Sequence, residues 1–309
     1  MPEGKIFTSR LLTAVALALA AALSGCGGSV GPLDALSSDL PRPTDYPVHG
    51  IDVSKFQGDI DWNAVASSGV KFAWIKATEG GDNIDARFQA NWTGAKAAGV
   101  PRGAYHFVYW CRPPMEEMVN FEQNAPVEDD ALPPVLDVEA TPTSKTCHRH
   151  LTQEAAVAEM RVMLQEMERH YGKRPIIYTT VDFYEAILPD GALSDYPIWV
   201  RSTKYHPAVR YGSRAWAFWQ YQSDGQTPGI NGNVNRDVFY GTKDQWDAFL
   251  RTPGPSAPIW NAWRGGAPQS APAQPAATEA GPAPPAEPQS GTQQAADEQP
   301  AASNPDQQQ

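Results

Sequence analysis

Residues 133–140 read PPVLDVEA, residues 152–172 read TQEAAVAEMRVMLQEMERHYG, and residues 174–180 read RPIIYTT. A short apolar run, a long helical segment and a second apolar run predict a strand, a helix and a strand. The same alternation fills residues 46–251, with eight strand candidates and little helix between the last three. We therefore expect an α/β fold, a TIM-like β/α barrel of eight strands with a reduced set of helices in its last third. An open doubly wound sheet is the alternative, but no glycine-rich phosphate turn follows the first strand.

The strand within residues 133–140 ends in two carboxylates, Asp137 and Glu139. Alternate side chains of a strand point to the same face, so these two project together from backbone positions about 6.6 Å apart. Neighbouring carboxylates disfavour each other's ionisation, which gives a purely structural strand no benefit. Acid–base chemistry can use such a pair, because one member can keep its proton near neutral pH.

The carboxyl ends of the strands of a β/α barrel share one rim, where functional residues collect. Nearly every predicted strand delivers polar or aromatic residues there: Asp52, Ser54, Lys76, Thr78, Glu79, Tyr105, His106, Tyr109, Asp137, Glu139, Tyr178, Trp199, Arg201, Trp219, Gln220, Tyr221, Asn235 and Asp237. Carboxylates supply acid–base chemistry, and aromatic faces pack on sugar rings. The rim therefore indicates a sugar-binding hydrolase.

The two ends of the chain differ in composition from the predicted barrel. Residues 1–25 combine a short basic stretch with an apolar run shorter than the ~20 residues of a membrane-spanning helix, which predicts a signal peptide. The sequence LSGC that ends at Cys26 resembles a bacterial lipobox, so we expect a lipid on Cys26 and a linker over residues 26–45. An ordinary signal peptide that ends near a cysteine is the alternative. Residues 252–309 are rich in Pro, Ala and Gln and predict a disordered tail.

Charge and cysteine content limit the possible partners. The formal net charge is −11 without a basic patch, which argues against nucleic acid. If Cys26 carries lipid, Cys111 and Cys147 remain as an even pair in an oxidising compartment, and either a disulfide or two unpaired buried thiols would account for them. The sequence CHRH at residues 147–150 fits no closed tetrahedral zinc pattern, so we predict neither a metal nor a cofactor.

Seven stretches, in order, resemble glycoside hydrolase family 25, the Chalaropsis-type lysozymes. They are GIDVSKFQGDIDW, FAWIKATEG, GAYHF, PVLDVEA, IIYTT, IWVRS and FWQYQSDGQTPGINGNVNRDVF, between Gly50 and Phe239. The resemblance implies an N-acetylmuramidase that cuts the β-1,4 bond between N-acetylmuramic acid and N-acetylglucosamine in peptidoglycan. It also implies that Glu139 is the general acid and that Asp137 and Asp52 are the accompanying catalytic carboxylates. Asp137 would hold the substrate's 2-acetamido group for attack on the anomeric carbon, a recognised exception among glycosidases.

The last predicted strand departs from the pattern of the family. The family usually reads Val-Asp-x-Asn there, whereas this chain reads NVNRDVF, with Asn235 at the Asp position and Asp237 at the Asn position. Residues two apart on a strand share a face, so we expect both to face inward and Asp237 to bind substrate or tune Glu139. The complete set of predicted substrate-binding residues is Asp237, Asn235, Tyr105, Tyr178, Trp199, Gln220 and Glu79. A structural ion pair between Glu79 and Lys76, and burial of the aromatic residues in the core, are the alternatives.

These observations lead to one main functional hypothesis and two alternatives. The main one is a lysozyme exported to the bacterial envelope and lipid-anchored there, in the outer membrane if the organism is Gram-negative, whose partners are the peptidoglycan glycan strands and the membrane. A non-catalytic peptidoglycan-binding lipoprotein on the same fold is the second. A barrel hydrolase of another N-acetylhexosamine polymer, such as chitin, is the third. Intact Asp52, Asp137 and Glu139 favour an enzyme over a binding module.

Overall fold

The computed structural model describes residue 33, residues 37–141 and residues 144–251. The predicted signal peptide, Cys26 and the predicted tail lie outside these residues. The chain divides into two units, residues 1–39 and residues 40–309, and the fold below belongs to the second. Over the ranges described, no helix has the length and apolar character needed to cross a membrane.

Nine strands and seven α-helices alternate along the described chain. The strands are β1 (His49–Val53), β2 (Phe72–Glu79), β3 (Asn83–Ile84), β4 (Arg102–Phe107), β5 (Val135–Val138), β6 (Ile176–Thr179), β7 (Ile198–Arg201), β8 (Phe218–Gly225) and β9 (Val234–Phe239). The helices are α1 (Trp62–Ser67), α2 (Phe88–Ala97), α3 (Pro114–Asn124), α4 (Gln153–Tyr171), α5 (Val181–Ile187), α6 (Pro207–Arg210) and α7 (Lys243–Arg251).

The strands form a closed barrel of eight members. Their order is β1-β9-β8-β7-β6-β5-β4-β2, and pairing of β1 with β2 closes the ring, while the two-residue β3 is added to the edge of β2. Helices are reduced towards the end of the chain, since α6 has four residues and β8 runs to β9 without a helix. The predicted α/β class and eight-stranded barrel with a depleted last third are confirmed.

The direction of the last strand differs from the expectation of parallel βαβ units. β9 is antiparallel to both β1 and β8. The reason is that β8 and β9 are joined without a crossover helix, and a short connection allows only an antiparallel pair. In the β1–β9 register, Asn235 lies opposite Asp52 and Asp237 lies opposite Gly50. Asp237 therefore lies two residues below the rim, about 6.6 Å deeper than Asn235, and the expectation that β9 brings its carboxyl end to the rim is wrong.

Aromatic side chains fill the interior at the amino-terminal ends of the parallel strands. Trp74 of β2 stacks on Trp199 of β7 with ring centroids 5.6 Å apart, although these strands are not neighbours, so the rings meet across the barrel. Trp246 of α7 closes this end, with its ring 5.3 Å from Phe72 and 5.1 Å from Phe239. The opposite end is left for polar groups.

A fully buried polar chain fastens α3 to the outside of the barrel. Nδ1 of His106 lies 2.7 Å from Oγ1 of Thr78, and its Nε2 lies 2.9 Å from Oε2 of Glu117. The same Glu117 oxygen accepts a hydrogen bond from the main-chain N–H of Tyr109 at 2.9 Å. His106 therefore faces away from the barrel interior and joins two strands to a helix.

A disulfide joins Cys111, in the loop after β4, to Cys147, in the loop after β5. Both loops lie at the carboxyl ends of their strands and so belong to the same rim. Cys147 is thereby committed to the bond and cannot ligate a metal, and no group of three or more His, Cys, Asp or Glu side chains that could hold a metal occurs in the described part of the chain.

Replacing His106 with Ala is expected to lower the free energy of unfolding by about 3 kcal/mol or more, because the buried Glu117 carboxyl loses its side-chain partner and keeps only the main-chain N–H of Tyr109. Urea denaturation followed by tryptophan fluorescence measures the change. His150→Ala is the matched control, because His150 is exposed. Equal unfolding free energies for the two variants would contradict the assignment.

The double variant Cys111→Ala, Cys147→Ala is expected to have a free energy of unfolding about 3–4 kcal/mol lower than the intact protein, because the disulfide closes a loop with a sequence separation of 36 residues. The same denaturation measurement, with the intact protein kept oxidised, gives the difference. If both forms unfold at the same urea concentration, the disulfide does not contribute to the stability of the rim.

Candidate active site

Asp52 lies at the end of β1, where two neutral side chains donate hydrogen bonds to its carboxylate. Nε2 of Gln220 donates to Oδ2 at 2.7 Å, and Nδ2 of Asn235 donates to Oδ1 at 2.9 Å. Burial raises the pKa of Asp52 to about 6, against the lowering effect of these donors. Asp52 therefore exchanges its proton slightly below neutral pH.

Asp137 is a member of β5 and is buried, with 6% of its surface exposed. Burial, and then the charge of Glu139, raise the pKa of Asp137 well above its ordinary range, while the Lys76 ammonium lowers it. Its Oδ1 has no hydrogen-bond partner within the described ranges. This oxygen is itself buried, so a ligand in the rim reaches the Asp137 carboxyl group through the small part of its surface that stays exposed.

Glu139 lies just beyond β5 and is partly exposed, so a ligand in the rim can reach it. Burial raises its pKa to about 7, and the Arg201 guanidinium opposes this shift. Asp182, at the start of α5, and Asp52 raise the pKa further. The carboxyl group is therefore about half protonated at neutral pH, as a general acid requires.

Two residues that the sequence analysis did not identify fix the main chain at Glu139. Trp110 contacts it directly, and Arg149 contacts Trp110. Nε1 of Trp110 donates to the carbonyl oxygen of Glu139 at 2.9 Å, and Nη1 of Arg149 donates to the carbonyl oxygen of Trp110 at 2.9 Å. The Trp110 ring stacks on Phe183 with centroids 5.4 Å apart. Trp110 directly precedes Cys111 of the disulfide, and Glu139 lies in the segment between Cys111 and Cys147, so the bond keeps the two loops close together.

Glu79 and Lys76 form a buried ion pair on β2. Their Oε2 and Nζ atoms lie 2.7 Å apart, which agrees with the structural alternative raised for Glu79. Nζ of Lys76 also lies 5.0 Å from the centre of the Phe107 ring. The ion pair brings a positive charge near Asp137, and a role of Glu79 in sugar binding stays a prediction.

The predicted aromatic residues lie at different depths. Tyr105 is partly exposed, whereas Tyr178 and Trp199 are 5% and 2% exposed. The Tyr178 hydroxyl donates to Oε1 of Gln220 at 3.1 Å, and its ring lies 4.5 Å from that of Trp199. Tyr178 and Gln220 therefore form a chain of hydrogen bonds that ends at Asp52.

The exchanged pair on β9 occupies two levels of the barrel. Asn235 is partly exposed and contacts Asp52 at the rim, whereas Asp237 has no exposed surface. Oδ1 of Asp237 accepts a hydrogen bond from Nε1 of Trp199 at 2.9 Å. The two side chains thus share the inner face, as residues two apart on a strand must, but only Asn235 reaches the rim.

The rim gathers three carboxyl groups with different proton affinities, Asp52, Asp137 and Glu139. One group near neutral pKa can donate a proton while another stays ionised, which is the requirement for combined acid and electrostatic catalysis. The positive charges of Lys76 and Arg201 lower the cost of keeping several carboxyl groups at one site.

Comparison with known proteins agrees with this geometry. The family model described as "Glycosyl hydrolases family 25" matches residues 51–230. "Uncharacterized protein YegX" of Escherichia coli (strain K12) is 37% identical over 218 residues, covering 67% of this chain and 75% of the relative. "Lysozyme M1" of Streptomyces globisporus is 36% identical over 209 residues, covering 63% of this chain and 68% of the relative. The structure of a family 25 glycosyl hydrolase from Bacillus anthracis superposes with a TM-score of 0.61 at 35% identity, covering 67% of this chain and 94% of the other. The chain belongs to glycosyl hydrolase family 25 and is a glycoside hydrolase.

Proposed function

We propose that the protein is a muramidase, which hydrolyses the β-1,4 bond between N-acetylmuramic acid and N-acetylglucosamine in peptidoglycan. Family membership and the similarity to a lysozyme support this substrate. The observation that carries the proposal is the pair of carboxyl groups at the end of β5, whose pKa values are both raised by burial. Glycosidic cleavage needs such a pair beside the bond that breaks.

Glu139 is the general acid of the proposed reaction. Its side chain is partly exposed at the rim, its main chain is held by Trp110, and its pKa of about 7 leaves a proton to give. Transfer of this proton to the glycosidic oxygen lets the bond between the anomeric carbon and that oxygen break without forming an alkoxide.

Asp137 assists through the 2-acetamido group of the substrate. The Asp137 carboxyl group, which is 6% exposed at the rim, accepts the amide N–H, while the acetamido oxygen forms a bond to the anomeric carbon and the leaving sugar departs. By accepting the amide N–H, the Asp137 carboxyl group stabilises the positive charge that the amide then carries. Water next attacks the anomeric carbon and returns a proton to Glu139, the bond to the acetamido oxygen breaks, and the enzyme regains its starting state.

Asp52 supplies negative charge on the other side of the barrel. Gln220 and Asn235 hold its two oxygens in fixed positions, so no reorganisation is needed when positive charge develops on the sugar ring. Asp52 therefore acts as an electrostatic stabiliser, and not as the proton donor.

The proposed place of action is the bacterial envelope. The lipobox-like sequence before Cys26 supports attachment to a membrane by lipid, and the substrate lies outside the cytoplasm. Metabolic labelling with a radioactive fatty acid tests this point, and loss of the label in Cys26→Ser is the expected result. Equal labelling of the variant would place the lipid elsewhere.

Glu139→Gln is expected to lower kcat by about 10²–10⁴-fold, because the amide cannot donate the proton that the leaving oxygen needs. The purified full-length protein is incubated with peptidoglycan, and mass spectrometry identifies the sugar that carries each new reducing end. Muramic acid at the reducing end is expected. Glu154→Gln is the control, because Glu154 is exposed on α4.

Two results of this experiment would overturn the proposal. New reducing ends on N-acetylglucosamine would assign a different bond. Binding to peptidoglycan without new reducing ends in the unaltered protein would favour the non-catalytic binding protein.

The pH dependence of kcat/KM is expected to be bell-shaped. The rate falls above about pH 7, where Glu139 loses its proton, and below about pH 6, where Asp52 gains one. Arg201→Gln is expected to shift the alkaline limb to higher pH, because the Arg201 guanidinium lowers the pKa of Glu139. Initial rates between pH 4 and 9 check both points, and an alkaline limb that does not move in the variant would contradict the assignment of that limb to Glu139.

A further inference from the structure

We propose that Asp237 is a positioning residue that works as a neutral carboxylic acid in the barrel interior and donates a hydrogen bond to Asp52. The two carboxyl groups then carry one negative charge, located on Asp52 at the rim. This inference deepens the proposed function, because Asp52 is the stabilising carboxylate of that reaction. Asp237 touches neither substrate nor the reacting atoms in this assignment, since it has no exposed surface.

The first step is the contact between the two carboxyl groups. Asp237 lies opposite Gln220 in the β8–β9 register and shares the inner face of β9 with Asn235, and both of these residues donate to Asp52, so the two carboxyl groups are neighbours. Oδ2 of Asp237 has no donor from any residue that the structure describes, and we infer that this oxygen faces Asp52. Two carboxylate oxygens are both acceptors, so a hydrogen bond between them needs a proton. Without it, two negative charges would face each other in a buried site, which is costly.

The second step decides which group keeps the proton. Asp52 accepts hydrogen bonds from Gln220 and Asn235, whereas Asp237 accepts one, from Trp199. Hydrogen bonds to the charged form favour ionisation, and burial opposes it. Asp52 has more donors and is slightly exposed, so it takes the charge, and Asp237 stays protonated.

The directions of the pKa shifts agree with a proton on Asp237 and a negative charge on Asp52. Burial, and then the charge of Asp52, raise the pKa of Asp237 well above its ordinary range. The hydrogen bonds from Asn235, Gln220 and Asp237 lower the pKa of Asp52 against the effect of burial. Since the two groups are neighbours, they titrate as a pair, with one proton shared at neutral pH.

The remaining charged groups around the pair come from three other strands and from β9 itself. They are Lys76 on β2, Asp137 and Glu139 on β5, Arg201 on β7, and Arg236 on β9. β4, β6 and β8 face the pair with neutral side chains, those of Tyr105, Tyr178, Gln220 and Tyr221. None of these neutral residues can take the proton from Asp237 near neutral pH.

The order of Asn235 and Asp237 along β9 has a physical reason in this assignment. An Asp at position 235 would stand opposite Asp52 in the β1–β9 register and repel it at the rim. Asn235 instead donates to Asp52, and the carboxyl group one level deeper supplies a further donor while it remains neutral. Both partners from β9 therefore stabilise the same ionised group.

Two variants of the full-length protein separate a neutral acid from an ionised one. In Asp237→Asn the amide can still donate to Asp52 and accept from Trp199, so the acid limb of kcat/KM on peptidoglycan is expected to stay at the wild-type pH. In Asp237→Ala the donor is lost, and the acid limb is expected to shift to higher pH with a fall in kcat/KM of about tenfold or more. A loss in Asp237→Asn as large as in Asp237→Ala would overturn the neutral-acid assignment.

The pH dependence of stability gives a readout that does not require activity. The folded-state pKa of Asp237 is raised, so its contribution to stability is full below its ordinary value of 3.8 and is lost as the pH rises. Asp237→Asn removes this loss, so its unfolding equilibrium constant relative to wild type should fall by up to about tenfold per pH unit above pH 4, until the folded-state pKa is reached. Urea denaturation at pH 4 to 8 measures it, with Asp190→Asn, an exposed site, as the control. A difference in unfolding free energy between Asp237→Asn and wild type that does not change with pH would overturn the proposal, whether or not the protein cleaves peptidoglycan. If the difference changes with pH as expected but the protein cleaves no peptidoglycan, the neutral acid stands and the muramidase is rejected.

Discussion

Closure of the barrel by β9 is the constraint on which the rest of the site depends. β9 lies between β1 and β8 and is antiparallel to both, so it is the strand that completes the ring. Its direction brings Asn235 to the level of Asp52 and leaves Asp237 in the interior. A parallel strand in the same place would have reversed these two depths. The hydrogen bonds to Asp52 thus follow from how the chain returns to β1.

Burial has the largest effect on the pKa of Asp52, Asp137 and Glu139; hydrogen bonds come second for Asp52, and neighbouring charges come second for Asp137 and Glu139. For Asp52, Asp137 and Glu139 alike, loss of hydration raises the pKa, and Arg201 or Lys76 moderates the shift. Two cations cannot neutralise all the carboxyl groups around them, so protons must stay bound at neutral pH. Acid–base capacity is therefore a consequence of enclosing the rim residues in a closed barrel.

The sequence was enough to predict the barrel and the pairing of Asp137 with Glu139, because strand alternation and residue spacing are local properties. The depth of Asp237 depends on the direction of β9, and the lack of a helix pattern between the last two predicted strands was the signal of an antiparallel pair that the expectation of parallel units overlooked. The strand pattern alone does not decide which way His106 faces, since a strand has two faces and only the packing of α3 shows that His106 points away from the interior. The contact of Trp110 with the main chain of Glu139 joins two loops, and such contacts have no periodic signal.

Trp199 links the aromatic cluster at the amino-terminal ends of the parallel strands to the polar residues of the rim. Its ring stacks on Trp74 above the end that α7 closes, and its Nε1 donates to Asp237. An indole in a close-packed interior has little freedom to move, so the acceptor it holds is fixed as well. In the proposed pairing, Asp237 donates to Asp52, so packing at the closed end helps to fix the position of a charge at the open end.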